Sequence, residues 1–362
     1  MAINFDSQRW ETIKQDTNAW WDGTLGRPLI LARLAGRDPG RERPRHPYHH
    51  FTSFYDMSIS AEEVIDAIDY WFCGTEFLGD AFPVFFPNFG PGVIAAYMGA
   101  ELENGDNTAW FHPVGSPELS QIKFDYIPDN PWFKRTKEII SAGAERWQGI
   151  VEIAMTDLGG NMDILSTFRP SEKLLLDLYD APELVEQLNW RAHEMWWKYF
   201  DELNTITQDT NPGYSTWAGF FSEKPHYMLQ CDFCYMIGPD MFERFVKPEL
   251  EATSDKLDNA FYHLDGPGEL VHLESLLEIE SLKGIQWIPG AGQKPLEDWP
   301  EVHKKITDAG KKIQLISHLS DKPYELLDRI ADQTGRLDNI VYCLNDNIEN
   351  RDKAEKLIEK FT

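Results

Sequence analysis

His263 and Asp265 stand two residues apart in Tyr262-His263-Leu264-Asp265-Gly266. On a β-strand, residues two apart point to the same side. An imidazole and a carboxylate so placed can grip one cation or one substrate group, and both are zinc ligands. Cys343 closes a second apolar run, Ile340-Val341-Tyr342, and Asn345 and Asp346 follow it. A thiolate brought alongside from that strand would complete a three-ligand set with an open fourth position, as catalytic zinc requires. The plainer readings are a His–Asp pair satisfied by backbone and a buried, inert cysteine. The residues alone leave these alternatives open.

Other side chains suit anions or protons. Arg33 and Arg37, in Arg33-Leu34-Ala35-Gly36-Arg37, follow the first apolar run. Guanidinium forks bind carboxylate or phosphate bidentately. Arg41, Arg43 and Arg45 come next, so a solvated basic loop is the alternative. Asp80 sits in the apolar stretch Phe77-Leu78-Gly79-Asp80-Ala81-Phe82, where a carboxylate must find a partner or keep its proton. Asp157 and Asp163, around Gly159-Gly160-Asn161, invite the same question with less force. Cys231-Asp232-Phe233-Cys234 is a lone C-x-x-C, a weak zinc signal read as strand-end packing. Its Asp232 can share a mouth with the other groups. His46, His49 and His50 form a polar loop cluster, read as surface or lid.

These groups need elements to hold them. Helical spacing appears at 6–22, rich in Trp, and at 60–72 behind Ser60, an N-cap candidate. A first strand follows Arg27-Pro28. The stretch 77–100 carries Gly-Pro and Pro-Gly steps and reads as an apolar packing loop. A helix is expected at 131–147 and a strand at 150–155. Beyond them the pattern alternates. Helices are expected at 171–179, 182–204, 239–258, 268–277, 298–309, 321–334 and 348–361. Strands are expected at 213–218, 226–231, 260–264, 284–288, 312–317 and 339–343. Strands alternating with helices imply a parallel sheet. No Gly-x-Gly-x-x-Gly follows the first strand, so the reading is a single α/β chain forming a (β/α)8 TIM barrel. It has one domain over 1–362, with an N-terminal helical extension over 1–25. The active site of such a fold lies at the C-terminal strand ends.

With 34 basic and 60 acidic side chains, the 362-residue chain carries a formal charge of -26. Such a surface repels nucleic acid and anionic lipid. There is no apolar run of membrane-spanning length, and residues 1–6 lack the basic start and apolar core of a secretory leader. Four cysteines make no disulfide framework. A cytoplasmic setting is expected, with a small substrate that can be anionic where arginines reverse the local field. The Trp- and Phe-rich N-terminal region suits either a homodimer surface or a plug beneath the barrel.

The order of these segments resembles the uroporphyrinogen decarboxylase superfamily, which also contains the zinc-dependent, corrinoid-linked methyltransferases. Arg27-Pro28 and Arg33-x-Ala35-Gly36-Arg37 are similar to the arginine segment that binds substrate carboxylates in the decarboxylases. Phe77-Leu78-Gly79-Asp80 resembles the segment with their essential aspartate. Asp232-Phe233-Cys234, followed by Gly238-Pro239-Asp240, is similar to a further family stretch. The methyltransferase branch places His-x-Cys-Gly on one strand and a lone Cys on the last. His263-Leu264-Asp265-Gly266 matches the first with Asp for Cys, and Cys343 falls where the second belongs.

The resemblance implies a methyltransferase with zinc on His263, Asp265 and Cys343, working with a corrinoid protein. Asp80 and His263 would be catalytic, and Arg33, Arg37 and Asp232 would bind substrate. The alternatives are a cofactor-free decarboxylase using Asp80 and a barrel that binds ligand without turnover.

Overall fold

The computed structural model describes residues 3–362. Its centre is a seven-stranded sheet. The strands in chain order are β1 (Leu29–Ala35), β2 (Thr75–Gly79), β3 (Val84–Phe85), β4 (Glu101–Asn104), β5 (Ala109–His112) and β6 (Glu152–Ile153). They continue as β7 (His226–Gln230), β8 (Asn259–Asp265), β9 (Leu282–Ile288), β10 (Lys312–Ile316) and β11 (Ile340–Asn347). The main sheet runs β2-β1-β11-β10-β9-β8-β7. All its pairings are parallel except β1 with β2. The parallel pair β3-β6 and the antiparallel hairpin β4-β5 stand as separate two-stranded sheets.

The α/β alternation is thus present, but strand pairing does not run round a full circle. The expected strand at 213–218 is the reason on one side. Pro212 precedes it, Gly213 opens it and Gly219 (φ 74°) follows it. The segment forms a tight loop closed by the single Tyr214–Ser222 bridge. It is tied to the end of β6 by Met155 N–H donating to the Ser215 carbonyl at 2.9 Å.

Sequence patterns account for the flanking elements. Ser60 caps the helix Ala61–Cys73 in a box with Glu63. The expected helix at 239–258 is two, Pro239–Phe245 and Lys247–Lys256. Pro248 has no N–H to continue the first and suits the start of the second. The stretch 77–100 is not all loop: it contains the end of β2, all of β3 and the short helix Ile94–Tyr97.

The helix Ser7–Trp21 buries Trp10, Ile13, Thr17 and Trp20 on one face. Trp20 packs on Phe220 and Phe261, and its carbonyl takes the Lys312 ammonium at 2.5 Å. Lys312 opens β10 and Phe261 lies early in β8. The Trp-rich segment therefore plugs the N-terminal ends of the strands, leaving the C-terminal ends for chemistry.

Candidate functional site

A cavity of about 510 Å³ opens at the C-terminal strand ends. Its floor is one polar layer contributed by adjacent strands: Arg33 from β1, His263 from β8, Gln286 from β9, Gln314 from β10 and Cys343 from β11. Its walls are aromatic, including Trp71, Phe72, Phe77, Phe85 and Phe86. Tyr48, His49 and His50 of the Arg-rich loop also line it. His318 and Asn345 complete the polar rim.

His263 sits at the edge of this cavity, edge-on to Trp217 with ring centres 5.0 Å apart. One ligand atom each from Asp232, His263 and Asp265 lie within 4.8 Å of one another. Asp265 shares β8 with His263, as the two-residue spacing requires. Asp232 arrives from the turn Asp232–Met236 that follows β7. The start of this turn is held by the Asp163 carboxylate, which accepts from the N–H groups of Asp232 at 3.1 Å and Phe233 at 2.8 Å. Behind Asp265 lies Glu269, whose carboxylate accepts the Asp265 N–H at 3.3 Å.

This crowding of acids has an electrostatic signature. Burial lifts Glu269 to about 9, with Asp232, Asp163 and Asp265 adding repulsion. Burial and then the Asp232 charge lift Asp163 to about 8. Asp232 is itself raised by burial and by Asp265, while His263 works the other way. Asp157, held by the Gly159 N–H at 2.9 Å, is pushed up to about 7 by burial. A divalent cation would reverse these costs, since it favours the ionised form of every carboxylate around it. One imidazole and two carboxylates are a donor set that zinc and harder divalent ions accept. The residues present fit a metal.

Cys343 does not belong to that group. It lies three strands from His263, on β11, nearly buried and facing Arg33. Of the expected His263–Asp265–Cys343 set, His263 and Asp265 stand together with Asp232 beside them, while Cys343 lines the same cavity from β11 without joining that group. The Cys343 sulfur instead accepts from the Gln314 amide at 3.3 Å.

The arginines separate as well. Arg33 reaches into the cavity, where it donates to the Gly219 carbonyl and lies over the Phe82 ring at 5.8 Å. Its Nε has no partner, and among the described residues no carboxylate pairs with it. Burial lowers its affinity for its proton, while the Cys343 sulfur opposes the effect. Arg37 points elsewhere, with Nε and Nη2 on the Cys73 carbonyl at 3.1 and 2.9 Å. It lines a neighbouring groove with Arg43 and Tyr70, beyond the stacked Tyr48–Trp71 pair.

Asp80 is placed outside the site altogether. It receives both Arg27 guanidinium nitrogens at 2.8 Å and the Ile30 N–H at 2.8 Å. Ile30 lies near the N-terminal end of β1, away from the cavity. Gly79 makes the turn possible: its φ is 58°, and a Cβ there would lie 2.5 Å from the Ile30 carbonyl oxygen. The expected catalytic aspartate is one half of a structural ion pair.

Gln286, Gln314 and Trp217 are absent from the sequence-based candidates. A signal for two of them exists in Gly284-Ile285-Gln286-Trp287-Ile288 and Lys312-Ile313-Gln314-Leu315-Ile316. An amide amid a buried apolar strand must find a partner. Trp217 carries no such mark.

No protein-family model matches this chain. No curated protein matches it. Among solved structures it is similar to a methyltransferase from Methanosarcina mazei, with a TM-score of 0.61 and 13% identity over 96% of this chain and 98% of that one. At that identity the likeness is one of fold. A complex structure of a GH113 beta-1,4-mannanase aligns with a TM-score of only 0.28 and carries no argument. Among the described residues, no helix is long and apolar enough to cross a membrane.

Proposed function

We propose that this chain is a metal-assisted methyltransferase of the uroporphyrinogen decarboxylase type, with zinc on Asp232, His263 and Asp265. The observation that carries the reading is the convergence of those three donors at the edge of an aromatic cavity. The shared fold of a methyltransferase supports it. So does the order of family-like segments along the chain. The six parallel strands of the main sheet and the β3-β6 pair are read as one barrel, the Tyr214–Ser222 loop standing in the gap between β6 and β7.

When bound, the metal would act as a Lewis acid, easing ionisation of a thiol or hydroxyl that accepts or releases the methyl group. The chain's own residues do the rest. Arg33, with no carboxylate of its own, takes an anionic group of the substrate and orients it. Trp71, Phe72, Phe77 and Phe85 enclose the reacting carbon and exclude water. The loop bearing Tyr48, His49 and His50 closes over the cavity. A corrinoid protein is the proposed methyl carrier, docking at the same mouth. Decarboxylation through Asp80 is not proposed, because Arg27 occupies that carboxylate at the opposite end of the strands.

The test is metal content of purified variants by elemental analysis. About one zinc per chain is expected in the wild type, lost in His263→Ala and Asp265→Ala and kept in Cys343→Ala. A folded wild type that takes up no metal would sink the reading and leave a ligand-binding protein. Loss of metal in Cys343→Ala would return the thiolate to the ligand set.

A further inference from the structure

We infer that Gln286 and Gln314 are positioning residues that set which ring nitrogen of His263 carries its proton. The inference deepens the metal reading and rests on it for its purpose, though not for its geometry.

The Ala218 carbonyl is a group that can only accept. The Gln314 side-chain nitrogen lies 2.7 Å from that oxygen, so the Gln314 amide turns its NH2 towards Ala218. The second hydrogen of the same NH2 faces the Cys343 sulfur at 3.3 Å. Gln314 Oε1 must then face the other way. It meets the Gln286 side-chain nitrogen at 2.6 Å, which fixes the Gln286 amide with its NH2 towards Gln314. Gln286 Oε1 is left facing His263 Nδ1 at 2.5 Å. A carbonyl oxygen can only accept, so Nδ1 carries the hydrogen. In the neutral ring, Nε2 then bears the lone pair and is the one nitrogen free to face Asp232 and Asp265.

Reversing the amides would set Gln314 Oε1 against the Ala218 oxygen with no hydrogen between them. Both glutamines are fully buried, so water cannot repair such a fault. The chain therefore has one polarity. Strand register builds it: His263 is opposite Gln286, and Gln286 opposite Gln314, on adjacent strands about 4.8 Å apart. A metal-binding histidine needs its other nitrogen held by an acceptor. Here two neutral amides do this, so no further charge enters an already acidic site.

The test reads the tautomer directly, from ring nitrogen-15 shifts and couplings of His263 in metal-free protein at a pH where the ring is uncharged. The wild type should show the Nδ1–H form alone. Gln286→Met should give a mixture with Nε2–H. Zinc affinity should fall roughly 10–100-fold in Gln286→Met. A wild type in the Nε2–H form, or an unchanged tautomer in Gln286→Met, would overturn the inference. Should Gln286→Met not fold, the wild-type spectrum and Gln314→Met decide it. A wild type in the Nδ1–H form that binds no zinc would support the tautomer assignment and reject the metal reading.

Discussion

Single side chains separate the roles that the sequence left together. Asp80 and Asp265 are both acids singled out by the sequence, yet one is an ion-pair partner and the other a ligand candidate. Asp80 is 6% exposed and carries two guanidinium bonds and one backbone bond. Breaking a buried pair leaves the other charge stranded, at roughly 3–5 kcal/mol. Arg27 keeps Asp16 at 2.8 Å, so Asp80→Asn should cost about 3 kcal/mol, the low end of that range. Urea melts should show this cost, with metal content unchanged. A loss of metal at full stability would return Asp80 to the site. The chemical type of His263, Asp265 and Arg33 was legible from local pattern. The partner of each was not, because an isolated carboxylate in a sequence carries no sign of which cation folds against it.

At the scale of elements, the turn Asp232–Met236 is the joint on which the third donor hangs. Asp163 holds its first two N–H groups, and Gly160 lets the chain approach closely enough for this. A Cβ at Gly160 would stand 2.2 Å from the Gln230 carbonyl oxygen and 2.5 Å from the Asp163 carboxylate. Asp163→Ala should lose the cap, about 1 kcal/mol. It should also loosen Asp232 and lower zinc affinity at least tenfold, by calorimetric titration. An unchanged affinity would mean that Asp232 is held by other contacts or is not a ligand. Asp157 and Asp163, around Gly159-Gly160-Asn161, were visible in the sequence as acids in need of partners. That Asp163 caps an element seventy residues later was not, since capping across such a distance depends on how β7 packs on the helix Asn161–Phe168.

At the scale of the molecule, several buried carboxylates make stability depend on pH. Glu152 is fully buried, accepts from Asn211 and the Gly213 N–H, and is pushed by burial to about 8. A raised acid retains its proton in the native state after the unfolded chain has lost its own. Its contribution is therefore full below the ordinary carboxyl range and is lost as pH rises towards about 8. Glu152→Gln should flatten the decline in unfolding free energy between pH 5 and 8, measured by urea melts across that range. An identical slope would show that Glu152 ionises freely in the fold. Sequence alone determined the α/β class, most helices, the acidic surface and the two-residue step from His263 to Asp265, because each follows from local periodicity or composition. Only the tertiary structure brought Asp232 beside them, left Cys343 outside that group, and set two glutamines behind His263. Those facts depend on strand order and register, and a one-residue slip of β9 would turn Gln286 to the opposite face.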